Sequence, residues 1–184
     1  MRRWAGLALL LVPMLVPTTV LPSEIQRADH LWQDEDRLLV RLDLSMDLPE
    51  VLIEALANGV GLDFRVEVRL ERQHGVFTDR VVARTARRVR LEYYALSRHY
   101  LVTDLDQRRV ELAPTLGDGL EMLARRLGRV VLDVEPGTMA PGLGYSLSAR
   151  VLLDQAALPL PLQWDARLRG AYMTRLGWYR WPLE

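Results

Sequence analysis

The twelve residues LEYYALSRHYLV, Leu91–Val102, hold three tyrosines, one arginine and one of the three histidines of the chain. No stretch of this length elsewhere in the 184 residues combines tyrosine, arginine and histidine. Ser97, His99 and Asp104 are the residue types of a hydrolase triad, a chemistry that needs a base within hydrogen-bond reach of the nucleophile and donors for an oxyanion. Strand alternation would set Ser97 and His99 on one face, yet no nucleophile-elbow sequence surrounds Ser97. A hydrolase or transferase using the Tyr93–Tyr100 segment is therefore the alternative reading, and it requires Tyr94, Arg98 and His99 to line one pocket. The simpler expectation is a hairpin in which Tyr93 and Tyr94 point to opposite faces and Ala95–Arg98 turn the chain, since tyrosine suits a strand that buries its ring and keeps its hydroxyl wet. No catalytic residue is assigned.

Six arginines, at positions 80, 84, 87, 88, 90 and 98, form a local basic cluster. With Tyr94 and His99, the guanidinium groups of Arg84, Arg88, Arg90 and Arg98 are the candidate binding residues, suited to an anionic headgroup, a phosphorylated sugar or an acidic partner face. The plainer reading puts Arg84, Arg88 and Arg90 on a solvated strand face, paired across strands with Glu67 or Glu71. No metal site is expected, because there is no cysteine, His30 and His74 are scattered and no H-E-x-x-H occurs. No cofactor is expected either: the glycine-containing GTMAPGLG lacks the lysine and following helix of a phosphate cradle.

These residues need elements to hold them. In LLVRLDLSMD, Leu38, Val40, Leu42, Leu44 and Met46 alternate with polar residues, and in LDFRVEVRLER, Leu62, Phe64, Val66, Val68 and Leu70 do the same. Period two over this length predicts half-buried strands. Between them DLPEVLIEALANG predicts a short helix, with Asp47 as cap, Pro49 in the first turn and Gly59 as stop. The run Arg80–Tyr93 pairs with the second strand through a turn at Gln73, His74 and Gly75, and His99–Thr103 pairs with Arg109–Ala113. TLGDGLEMLARRLG places Leu116, Leu120, Leu123 and Leu127 on one helical face, although Gly117 and Gly119 weaken its first turn. RVVLDV and YSLSARVLLD follow as strands, and the closing stretch from LPLPLQW to AYMTRLGWYRW suits an edge. Trp178 and Trp181 in that tail are expected to close the core. Seven or eight strands and two short helices predict a mainly β fold, an antiparallel β-sandwich; the strand–helix–strand order at Leu38–Glu71 admits an α+β sheet with helices on one face as the alternative.

Length predicts one domain over residues 24–184. The 24 basic residues, all arginine, balance 24 acidic ones, so no global field favours nucleic acid, and none is expected as a partner. Residues 1–23 carry two arginines and then an apolar run broken by Pro13 and Pro17. That is the layout of a signal peptide, or of an N-terminal membrane anchor through which the chain would associate with a membrane. Its loss would leave 22 basic against 24 acidic groups, a net charge of −2.

EALANGV at Glu54–Val60, YYALSRHY at Tyr93–Tyr100, LPLPLQ at Leu158–Gln163 and the terminal GWYRW, in this order and spacing, resemble the proteobacterial domain of unknown function 4390 family. The resemblance covers about Leu38 to Trp181. It implies an exported protein of the cell envelope, encoded near a membrane sensor kinase of the nitrogen-regulation type, with no catalytic residues to carry over. The expected localisation is the periplasm or the periplasmic face of the inner membrane. The expected role is a non-enzymatic binding or interaction module whose partner is an envelope or inner-membrane protein.

Overall fold

The computed structural model describes residues 23–73, 79–161 and 177–183. The expected leader, apart from Ser23, lies outside the described residues, as do His74 and positions 162–176 of the closing stretch.

Among the described residues, nine strands and two complete α-helices follow in the order β1 (Ser23–Asp34), β2 (Arg37–Met46), α1 (Glu50–Ala57), β3 (Leu62–Arg72), β4 (Arg80–Tyr94), β5 (His99–Asp104), β6 (Arg109–Ala113), α2 (Leu116–Leu127), β7 (Arg129–Asp133), β8 (Tyr145–Leu153) and β9 (Tyr179–Pro182). A 3₁₀ turn at Gln155–Ala157 follows β8. The strands form a three-stranded sheet ordered β1-β2-β7 and a six-stranded sheet ordered β6-β5-β4-β3-β8-β9. Every pairing is antiparallel. The parallel crossover admitted at Leu38–Glu71 does not form, because α1 carries the chain from the small sheet at β2 to the large one at β3.

Alternation sets the inner faces. Leu62 opposes Leu91, Phe64 opposes Val89 and Val68 opposes Thr85 across β3 and β4. Leu38, Val40 and Leu42 of β2 and Val130 and Leu132 of β7 join the β3, β4 and β8 side chains in one buried core. Helix α2 covers the rest of the inner face, burying Leu123 and Leu127. Its first turn is intact despite the glycines, since Thr115 accepts the Asp118 N–H at 3.1 Å as N-cap. At Gly119 a Cβ would stand 3.3 Å from Leu91 Cδ1 and from Tyr100 Cβ, so the missing side chain lets the helix lie close to β4 and β5. The cap expected at α1 is absent: Asp47 takes the Leu48 N–H at 2.9 Å, and the N-cap position belongs to Pro49, which has no side-chain acceptor.

Strand β1 has no clean alternation of its own. Only Ile25 among its apolar side chains is fully buried, and its pairing with β2 slips twice, between Ile25 and Arg27 and between Trp32 and Asp34. The free edge of β2 supplies the hydrogen bonds that hold it extended.

Two four-residue turns close the β4–β5 and β5–β6 hairpins, and each ends on an arginine in the left-handed region, Arg98 at φ 56° and Arg108 at φ 55°. A side chain pays about 1–2 kcal/mol for that conformation, and glycine's extra freedom in the unfolded chain returns part of it. Arg108→Gly is therefore expected to stabilise the fold by about 0.5–1 kcal/mol, read as a rise in thermal midpoint.

Candidate functional site

The register divides the candidate residues between two faces. His99 pairs with Tyr94 and Tyr100 with Tyr93 at the top of the β4–β5 hairpin. Tyr93 and Tyr100 turn inward with ring centroids 5.0 Å apart, and Tyr94 and His99 turn outward. His99 Nδ1 lies 2.5 Å from the Ser97 carbonyl oxygen, so the backbone holds that ring nitrogen. Asp104, five residues along the strand, points to the opposite, inner face, where it is 1% exposed. Its Oδ2 accepts from Arg87 Nε at 3.1 Å and Nη2 at 2.5 Å, and its Oδ1 accepts the Asp106 and Gln107 N–H groups at 3.1 and 2.9 Å. Ser97, His99 and Asp104 therefore do not meet. Tyr94 and Arg98 are exposed on the hairpin's rim.

The Arg87–Asp104 pair is a joint of the fold. Arg87 Nη1 also donates to the Arg129 carbonyl at 2.6 Å, which ties β4 of the large sheet to β7 of the small one. Burial disfavours the Asp104 carboxylate, but the Arg87 hydrogen bond and the turn N–H groups outweigh it, and the carboxyl is held below the usual aspartate range.

On the outer face the arginines differ in what they touch. Arg90 clamps Asp63 with both prongs, at 2.5 and 2.8 Å, a pairing that pushes its pKa up. Arg88 holds Asp106 at 3.1 Å with both side chains well exposed. The cross-strand partners expected for these arginines, Glu67 and Glu71, are used by others. Glu67 forms ion pairs with Arg65 at 2.9 Å and Arg150 at 2.7 Å, and Glu71 forms one with Arg180 at 2.9 Å. The reason is register: Arg88 faces Arg65 and Arg84 faces Arg69, while Glu67 faces Ala86 and Arg150. Arg84 has no carboxylate partner among the described residues. Arg69, directly opposite, stacks its guanidinium 3.9 Å from the Trp178 ring, which Arg150 approaches at 4.5 Å. Trp178 thus lies on the outer face, whereas Trp181 packs against the core. Arg69, Arg84, Glu67 and Ala86 line a shallow depression of about 320 Å³.

A second feature lies at the end of the same face. Strand β6 is the edge of the large sheet, and its outward side chains Val110 and Leu112 are 55% and 59% exposed. Leu112 pairs with Leu101, and Leu96 and Tyr94 extend the apolar surface along the hairpin. Among the described residues no group of three His, Asp or Glu side chains could hold a metal ion, and no helix is long and apolar enough to cross a membrane.

The family model for DUF4390, a domain of unknown function, matches residues 23–182, from the first residue of β1 to the last of β9. The chain belongs to the DUF4390 family. No curated protein and no solved structure matches it.

Proposed function

We propose that the chain is a non-enzymatic interaction module, exported to the periplasm or held at the periplasmic face of the inner membrane, that takes an extended segment of an envelope or inner-membrane protein along the edge of β6. The supporting observation is the exposed apolar strip beside an open edge: Val110 and Leu112 stand out at 55% and 59% next to Leu101, with no strand beyond them among the described residues. Natural edge strands are normally blunted by inward charges, prolines or cover, and large exposed apolar patches mark association surfaces. An added strand would satisfy the edge's backbone groups and place alternate side chains over Val110 and Leu112. Arg108 and Arg109 at the start of β6 favour an acidic residue at one end of that segment. The export pattern of residues 1–23 supports the compartment, and the family resemblance makes a membrane sensor kinase the first partner to test.

A photo-reactive amino acid at position 112, in the full chain in living cells, is expected to give a discrete crosslinked product that is absent with the probe at exposed Leu143 and is lost in the Val110→Lys/Leu112→Lys background, with the probe moved to position 101. Equal products at positions 112 and 143, or survival of the product in the lysine background, would remove the edge from consideration.

A further inference from the structure

We propose that the depression on the outer face around Ala86 is a phosphate-binding site, formed by Arg69 and Arg84 and separate from the β6 edge. Two guanidinium groups, those of Arg69 and Arg84, line it, and its one lining carboxylate, Glu67, is paired with Arg65 and Arg150. Glu67 is no obstacle, because Arg65 and Arg150 already hold its oxygens. Arg69 and Arg84 are directly opposed across β3 and β4, an arrangement that costs stability unless an anion lies between them. Residue 86 is the one position of this face where β4 carries only a methyl group between two arginines, and the depression of about 320 Å³ opens there.

The indole of Trp178 completes the arrangement. Arg69 has its guanidinium carbon over the Trp178 ring, 3.9 Å from the centroid, and a guanidinium held over an aromatic face still has N–H donors to offer an oxyanion. The stack also reduces the rotamer freedom that binding would otherwise have to remove. Two such forks from adjacent strands suit the several oxygens of a phosphate group better than the two of a carboxylate. A soluble phosphate ester and the headgroup of an anionic lipid present the same chemistry.

The test is calorimetric titration of the purified full chain with inorganic phosphate at constant ionic strength. Saturable binding is expected, weakened about 10- to 100-fold in Arg69→Gln/Arg84→Gln, since each lost hydrogen bond to a charged group is worth about a factor of ten. Ala86→Leu, which keeps both arginines and fills the depression, is expected to abolish it, while Arg27→Gln/Arg129→Gln, exposed arginines of the small sheet with the same change in net charge, leaves it intact. If the natural source is a lipid, recruitment to phosphatidylglycerol vesicles falls in the Arg69/Arg84 variant and recruitment to phosphatidylcholine vesicles does not. If it is a soluble ester, glycerol phosphate competes with inorganic phosphate and vesicle recruitment is the same for both proteins. Absence of saturable phosphate binding, equal binding by the Arg69/Arg84 variant, or binding of acetate as tight as that of phosphate would each overturn the proposal.

Discussion

Alanine at position 104 is expected to lower the unfolding free energy by about 3–5 kcal/mol, the range for breaking one side of a buried ion pair. The mechanism is loss on three sides. Arg87, 17% exposed, keeps its charge without a counterion, the Asp106 and Gln107 N–H groups lose their acceptor, and the β4–β7 tie through the Arg129 carbonyl loses the anchor that orients Arg87. Asp104→Asn preserves an oxygen for the two turn N–H groups and gives up the charge and both Arg87 hydrogen bonds, since its amide NH2 cannot accept, so its loss should be the smaller of the two. Urea unfolding of both variants separates the two contributions. The same carboxylate makes the fold acid-sensitive. Its folded pKa is depressed, so its contribution is present in full above the unfolded value of about 3.9 and is lost as pH falls through the lower folded value. Glu111, held low by Arg126, acts in the same direction and the same acid window. Unfolding midpoints measured from pH 7 down to pH 3 should fall most steeply below pH 4 for the wild type, and less steeply for Asp104→Asn. An equal slope in both would show that Asp104 is not the group responsible.

Gly128→Ala should cost about 1–3 kcal/mol as an overpacked site, at the upper end of that range. A Cβ at position 128 would lie 2.4 Å from the Leu42 carbonyl oxygen and 2.9 Å from that of Ala124, and both obstacles are backbone, which cannot rotate away. The Gly128 carbonyl also accepts the Leu42 N–H at 2.8 Å, so moving the α2–β7 junction loosens the seam between helix and small sheet. Backbone conformation is not the reason for the glycine, since its φ is −72°. The gain of alanine over glycine in a helix, at most about 1 kcal/mol, works against this cost without reversing it. Chemical denaturation of Gly128→Ala should therefore show a lower midpoint; an unchanged or raised midpoint would mean that the junction relaxes freely.

The large sheet was legible where alternation is clean. Leu62–Leu70 declares its inner and outer faces in the sequence, and the structure places all five apolar side chains in the core. Strand β1 was not legible, because an edge strand with one deeply buried side chain carries little pattern, and its conformation comes from the hydrogen-bonding edge of β2. Arg87 was hidden inside a run of arginines: its residue type argues for solvent, and only its phase with Thr85 and Val89 marks the inner face. Trp178 and Trp181 are both expected in the core, yet a spacing of three in an extended chain puts them on opposite faces, a signal present in the sequence.

Residue order by itself determined the mainly β character, the two helices, the phase of each clean strand and the family, since hydropathic alternation is local and survives without knowledge of any partner. Tertiary structure alone decided which arginine meets which acid. Arg90 reaches Asp63, Arg88 reaches Asp106, Arg87 reaches Asp104 and Arg84 faces another arginine, because an ion pair depends on a few ångströms between strands far apart in sequence. A shift of one residue in the β3–β4 register would exchange the two faces and every one of these partners, so the charged face takes its meaning only from the register.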